Sequence, residues 1–155
     1  MKIGMSLPES LLDPDIILDW AQRVDKGPFS TLSVLDRVVY SNPAPLLTLT
    51  LAAAVSHRVR LMTEVLISPF RNATLLAKEV ATLDTFSRGR VTLGLGVGIR
   101  EDDFIATGAT TFHTRGKHLE EQIKEMRRIW SGKPWSENIG PVGPMPVQSN
   151  GPELI

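Results

Sequence analysis

RVTLGLGVG, Arg90 to Gly98, places glycines at 94, 96 and 98 in an otherwise apolar run. Two readings compete. A dinucleotide-binding turn needs G-x-G-x-x-G leading from a strand into a helix, and it belongs on the first strand and helix unit. The spacing here is G-x-G-x-G. Residues two apart on a strand point to the same face, so as a strand the three glycines leave one face bare. Glycine in a strand often marks close approach by a ligand or another backbone. Tight packing, a narrow barrel interior or a bulge would leave the same pattern.

The flanking segments give this stretch its place. Lys2 to Leu7 is short, apolar and stopped by Pro8, as a first strand would be. Asp13 offers a helix cap with Pro14 at the first helical position, and Ile16, Ile17, Trp20, Ala21 and Val24 recur at helical spacing before Gly27. Thr31 to Leu35 repeats the strand signal, and Asn42-Pro43 predicts the opening of a second helix through Leu46, Leu49, Ala52 and Val55. Val59 to Ile67 predicts a third strand. Asn72 caps a third helix carrying Leu75, Leu76, Val80 and Leu83, with Gly89 past its end. Arg90 to Gly98 is then the fourth strand. Thr114 opens a fourth helix with Leu119, Ile123, Met126, Ile129 and Trp130 on one face and Gly132 after it.

Strict alternation of strand and helix predicts a parallel sheet covered by helices, either an open doubly wound sheet or a barrel. From Lys133 to Pro152 prolines and glycines predict a long loop, and Glu153 to Ile155 the onset of a fifth strand.

Composition narrows the function classes. The chain has 155 residues, the size of one domain, with 17 Lys plus Arg against 17 Asp plus Glu. No run of one sign points to nucleic acid or an anionic membrane. No cysteine is present, which excludes thiolate metal sites, disulfides and cysteine nucleophiles and is compatible with a reducing cytoplasm. The sequence has no apolar run of membrane-spanning length and no basic leader, so the expectation is a soluble cytoplasmic protein.

Individual candidates are few. Asp36 and Arg37 sit where the second strand would end, the edge at which parallel sheets place ligands, or they form a loop ion pair. Glu64 falls inside an apolar strand, where a carboxylate is costly unless paired or wet. His113 precedes the fourth helix, while His57 and His118 read as surface residues; the three share no metal-ligand spacing. No residue is singled out as a catalytic acid, base or nucleophile.

Read together, LSVLDR (Leu32 to Arg37), the block VRLMTEVLISPFRNATLLAKEVATLDTFSRGRVTLGLGVGIREDDFIATG (Val59 to Gly108) and RGKHLEEQIKEMRRIWSG (Arg115 to Gly132) resemble the luciferase-like flavin monooxygenase family. The resemblance implies a (β/α) barrel of TIM type, an α/β fold. Residues 1–132 would form its N-terminal half, and 133–155 a loop and the start of a fifth strand. It implies an oxidoreductase or monooxygenase that uses FMN or 8-hydroxy-5-deazaflavin on a small organic substrate. By position, Asp36, Glu64, Val65, Asn72, Gly96 and Gly98 would line the cofactor, with a cis peptide at Glu64-Val65 backing the ring. Family residues at position 64 are usually small, so Glu64 is a departure. A typical member is about twice this long. The resemblance therefore also implies a partner, either a second copy in a homodimer or a complementary C-terminal half. A non-catalytic flavin-binding or partner-binding half-barrel is the alternative.

Overall fold

The computed structural model describes residues 2–9 and 13–155. Five parallel strands run in the order of the chain: β1 (Gly4–Ser6), β2 (Thr31–Val34), β3 (Arg60–Ile67), β4 (Val91–Gly96) and β5 (Glu153–Leu154). They alternate with α1 (Pro14–Lys26), α2 (Pro45–Val55), α3 (Ala73–Phe86), the short α4 (Glu101–Thr107) and α5 (Arg115–Trp130).

Strand order decides between the two architectures. A doubly wound sheet reverses its order, so that right-handed crossovers place helices on both faces. Here the order never reverses, every crossover falls on one side, and α1 to α2, α2 to α3 and α3 to α5 pack in sequence. The sheet is therefore a barrel wall. Between sheet and helices lies the core, which includes Leu32, Leu49, Leu61, Leu66, Leu76, Val80, Leu93 and Met126. Each such leucine buried from water is worth about 2 kcal/mol.

Local chemistry explains most element ends. The Asp13 carboxylate accepts from the Asp15 N–H with Pro14 in the first turn of α1, and Asn72 Oδ1 accepts from the Leu75 N–H at the start of α3. The second helix opens later than the Asn42-Pro43 signal predicts. The Asn42 amide is spent on the Leu35 and Pro43 carbonyls, and Pro45 occupies the first turn of α2. The fourth strand ends at Gly96, so Gly98 lies in the loop beyond it at φ +73°. Between β4 and α5 the structure adds α4, a helix the sequence reading did not contain.

The face away from the helices carries Gly4 and Ser6 of β1, Thr31 and Ser33 of β2, Arg60 and Met62 of β3, and Thr92 and Gly94 of β4, set level by the register. At its N-terminal end, Arg60 Nε donates to Thr92 Oγ1 (2.6 Å) and Thr92 Oγ1 to Glu153 Oε2 (2.9 Å), linking three neighbouring strands. At the same end of the wall, buried Asp84 of α3 accepts from the Val147 and Gln148 N–H groups and from Gln148 Nε2 (2.8, 3.0 and 2.7 Å). That clasp anchors the long loop just before β5.

Candidate functional site

The C-terminal ends of the strands form the mouth of the wall, and a bulge in β3 shapes it. Thr63 pairs with Leu93 and Leu66 with Leu95, so β3 spends one residue more than β4 over this step. The extra residue returns Leu66 to the core and pushes Glu64 and Val65 out, both exposed and joined by a cis peptide bond.

The glycines answer to this bulge. A Cβ on Gly94 would collide with the Thr63 carbonyl oxygen, and one on Gly96 would stand 2.5 Å from Val65 Cγ2. The bare face of β4 is thus where the bulged backbone and the Val65 side chain lie. Gly98 combines a left-handed backbone with a close approach: a Cβ there would meet Ile67 Cγ2 at 2.7 Å. Close packing between strands occupies the space the glycines leave, and no strand-to-helix phosphate turn is formed.

Two buried carboxylates of the mouth work as ties. Asp36, 2% exposed, accepts from the Ile67 N–H (2.8 Å) and from Arg71 Nη2 (2.9 and 2.8 Å). It binds the end of β2 to the end of β3. Arg37 does not pair with its neighbour; its Nε donates to Asp103 Oδ2 of α4 (2.7 Å). Asp103, 1% exposed, also accepts from the Val38 and Val39 N–H groups (3.1 and 2.8 Å). Burial alone would push the Asp103 carboxyl up; the Val39 amide, Arg37 and the Val38 amide outweigh it and hold it below the ordinary range.

Other ties complete the rim. Ser68 N–H donates to the Gly96 carbonyl (3.2 Å), Gln122 Nε2 to the Ser68 and Arg71 carbonyls (3.1 and 2.7 Å), and Arg115 Nε to the Gly98 carbonyl (2.9 Å). Asn72 is exposed and serves α3 as its cap. His113 lies on a single 3-10 turn edge-on to Phe112.

Sequence reasoning missed Asp103 and Gln122. A signal for the first exists: three acids in a row, Glu101 to Asp103, followed by Gly108 at φ +69°, mark a helix start and stop. Among the described residues no three His, Asp or Glu side chains converge as metal ligands, and no helix is long and apolar enough to cross a membrane.

The residues at the mouth fit a planar ring. Val65, 41% exposed, is an apolar platform at the mouth, with the half-buried Gly96 beneath it.

Comparison with known proteins places this arrangement. The model of the luciferase-like monooxygenase family matches residues 1–148, and the chain belongs to that family. An uncharacterized protein of Mycobacterium tuberculosis is 34% identical over 118 residues, covering 72% of this chain and 42% of the relative. An F420-dependent glucose-6-phosphate dehydrogenase of Amycolatopsis mediterranei is 27% identical over 148 residues, covering 90% and 43%. Among solved structures, the monooxygenase RslO1 of Streptomyces bottropensis superposes with a TM-score of 0.86 at 25% identity, covering 99% of this chain and 52% of that one. The oxygenating constituent of 3,6-diketocamphane monooxygenase from Pseudomonas putida, solved with FMN, gives 0.79 at 16% identity, covering 98% and 48%. This last likeness shows the fold. The chain spans about half the length of the relatives it matches.

Proposed function

We propose that this chain is the cofactor-facing half of a luciferase-like oxidoreductase acting on a small organic substrate, with FMN or 8-hydroxy-5-deazaflavin as cofactor. The observation that carries the reading is Val65, an exposed apolar side chain at the mouth of the wall, set over Gly96. FMN in one fold neighbour and F420, a deazaflavin, in the name of one relative support the two candidates.

Val65 and Gly96 back the ring, and Glu64 and Gly98 flank it. Asp36 is a positioning residue that fixes Ile67 and Arg71, and Asn72 fixes the start of α3 beside the mouth. Bound there, the cofactor would supply the redox chemistry; the protein orients it and excludes water. Residues 1–132 form the half-barrel proper, and β1 and β5, each paired on one side only, are the edges a second copy or a complementary half would extend. A cytoplasmic setting accords with the absence of cysteine.

The test is titration of the purified 155-residue chain with FMN and with a deazaflavin, followed by fluorescence and light scattering. Saturable binding that Val65→Asp weakens at least about tenfold, with unchanged circular dichroism, supports the reading. No binding at high micromolar cofactor overturns it. A dimer in the bound state supports completion by a second copy.

A second reading, a half-barrel that binds flavin without turnover, is favoured by one observation. Asp36 and Asp103 are both spent on hydrogen bonds, so neither buried carboxylate is free to act as an acid or base. Binding without substrate oxidation or reduction in the completed assembly would support it.

A further inference from the structure

We propose that Glu64 sets the redox-state preference of this site: its carboxylate disfavours the anionic reduced flavin relative to the neutral oxidised ring. The inference rests on the ring lying against Val65 and Gly96.

Three observations carry it. Glu64 is exposed in mid-strand, and among the described residues no hydrogen bond or ion pair holds its carboxylate. It lines a cavity of about 380 Å³ on the concave face together with Ser6, Ser33 and Met62, so it points into the interior of the wall. The other acids near that interior are compensated: Asp36 by Arg71, Asp103 by Arg37 and Glu153 by Arg60. Of the cations on this face, Arg60 is held by Thr92 and Glu153, and Lys2 lines the same cavity beside Ser30 and Gly4, at the N-terminal end of the strands. Among these acids Glu64, the direct chain neighbour of Val65, is the one without an ion-pair partner among the described residues.

A two-electron-reduced isoalloxazine is an anion at mildly alkaline pH, whereas the oxidised ring is neutral. A carboxylate beside the ring would repel only the first, and with partial shielding by solvent the discrimination would be about tenfold. For a two-electron couple that ratio corresponds to a potential lowered by about 30 mV.

The experiment is anaerobic titration of the chain with oxidised FMN and, separately, with chemically reduced FMN at mildly alkaline pH. Wild type, Glu64→Gln and Glu64→Asp are compared, with circular dichroism as the check on folding. The expected result is a ratio of reduced to oxidised Kd that falls about tenfold in Glu64→Gln and holds in Glu64→Asp. Equal changes in both forms, or none, overturn the inference while leaving the site in place. Failure of the wild-type chain to bind either form of FMN overturns the inference, and failure to bind a deazaflavin as well overturns the site itself. Should Glu64→Gln not fold, Glu64→Ser carries the same test.

Discussion

Thr63 and Gly94 hold each other across neighbouring strands: Thr63 Oγ1 donates to the Gly94 carbonyl at 2.7 Å, and the Thr63 carbonyl fills the place of a Gly94 side chain. A methyl group at 94 has only backbone to displace. Gly94→Ala is expected to cost about 3 kcal/mol, because over-packing against a buried strand forces backbone shifts. Gly96→Ala meets the partly free Val65 side chain and costs less, about 1 kcal/mol. Urea denaturation of the two variants checks the order; equal losses would refute this account of the bulge.

Gly116 gives the opposite sign. It lies in the first turn of α5 with nothing within 4 Å of an added Cβ. Gly116→Ala should raise stability by about 0.5 to 1 kcal/mol, since alanine loses less backbone freedom on entering a helix. Thermal unfolding reads the change.

Asp103 ties stability to acid. Its folded carboxyl titrates below the unfolded one, as does that of Asp25, where burial again opposes and the Val59, His57 and Arg58 amides prevail. A depressed value contributes stability that is complete above the unfolded pKa, about 3.9, and is lost as pH falls through the lower folded value. Asp103→Asn is expected to cost about 2 kcal/mol at neutral pH and to flatten the fall in stability below about pH 4. Denaturant midpoints across that range decide; an unchanged acid slope would show that Asp103 does not contribute.

The Asp36 and Arg71 pair should be strongly coupled. Asp36 is almost wholly buried, and Arg71 gives it two contacts from one nitrogen. Removing either partner strands the other, at about 3 kcal/mol for Asp36→Ala, and the double variant should lose much less than the sum. A double-mutant cycle that proved additive would contradict the geometry.

Asp84 predicts a local effect. Asp84→Ala removes the acceptor for two consecutive backbone N–H groups, so Val147 and Gln148 should lose hydrogen-exchange protection while the amides of β2 and β3 keep theirs. Uniform loss of protection would mean that the clasp holds the whole wall.

The strands and the long helices were legible because each satisfies a local rule and a global one together. Ile17, Ala21 and Val24 recur at helical spacing and are the buried residues of α1. The alternation of elements left barrel and doubly wound sheet open, since nothing local records strand order. The glycine run was read correctly as strand up to Gly96, but what its bare face receives is the bulge of β3, a partner distant in sequence. Asp36 stood out at a strand end, while its binding to Ile67 and Arg71 is tertiary and left no mark on its neighbours. α4 escaped because it has seven residues, of which only Asp103 and Phe104 are buried, too few to show a period.

Sequential strand order has a consequence for how the wall is made. Each strand pairs only with the strands before and after it in the chain, so every unit finds its docking surface already in place when it leaves the ribosome. From β1 to β5 the wall can grow by accretion, each new strand docking on the one before it.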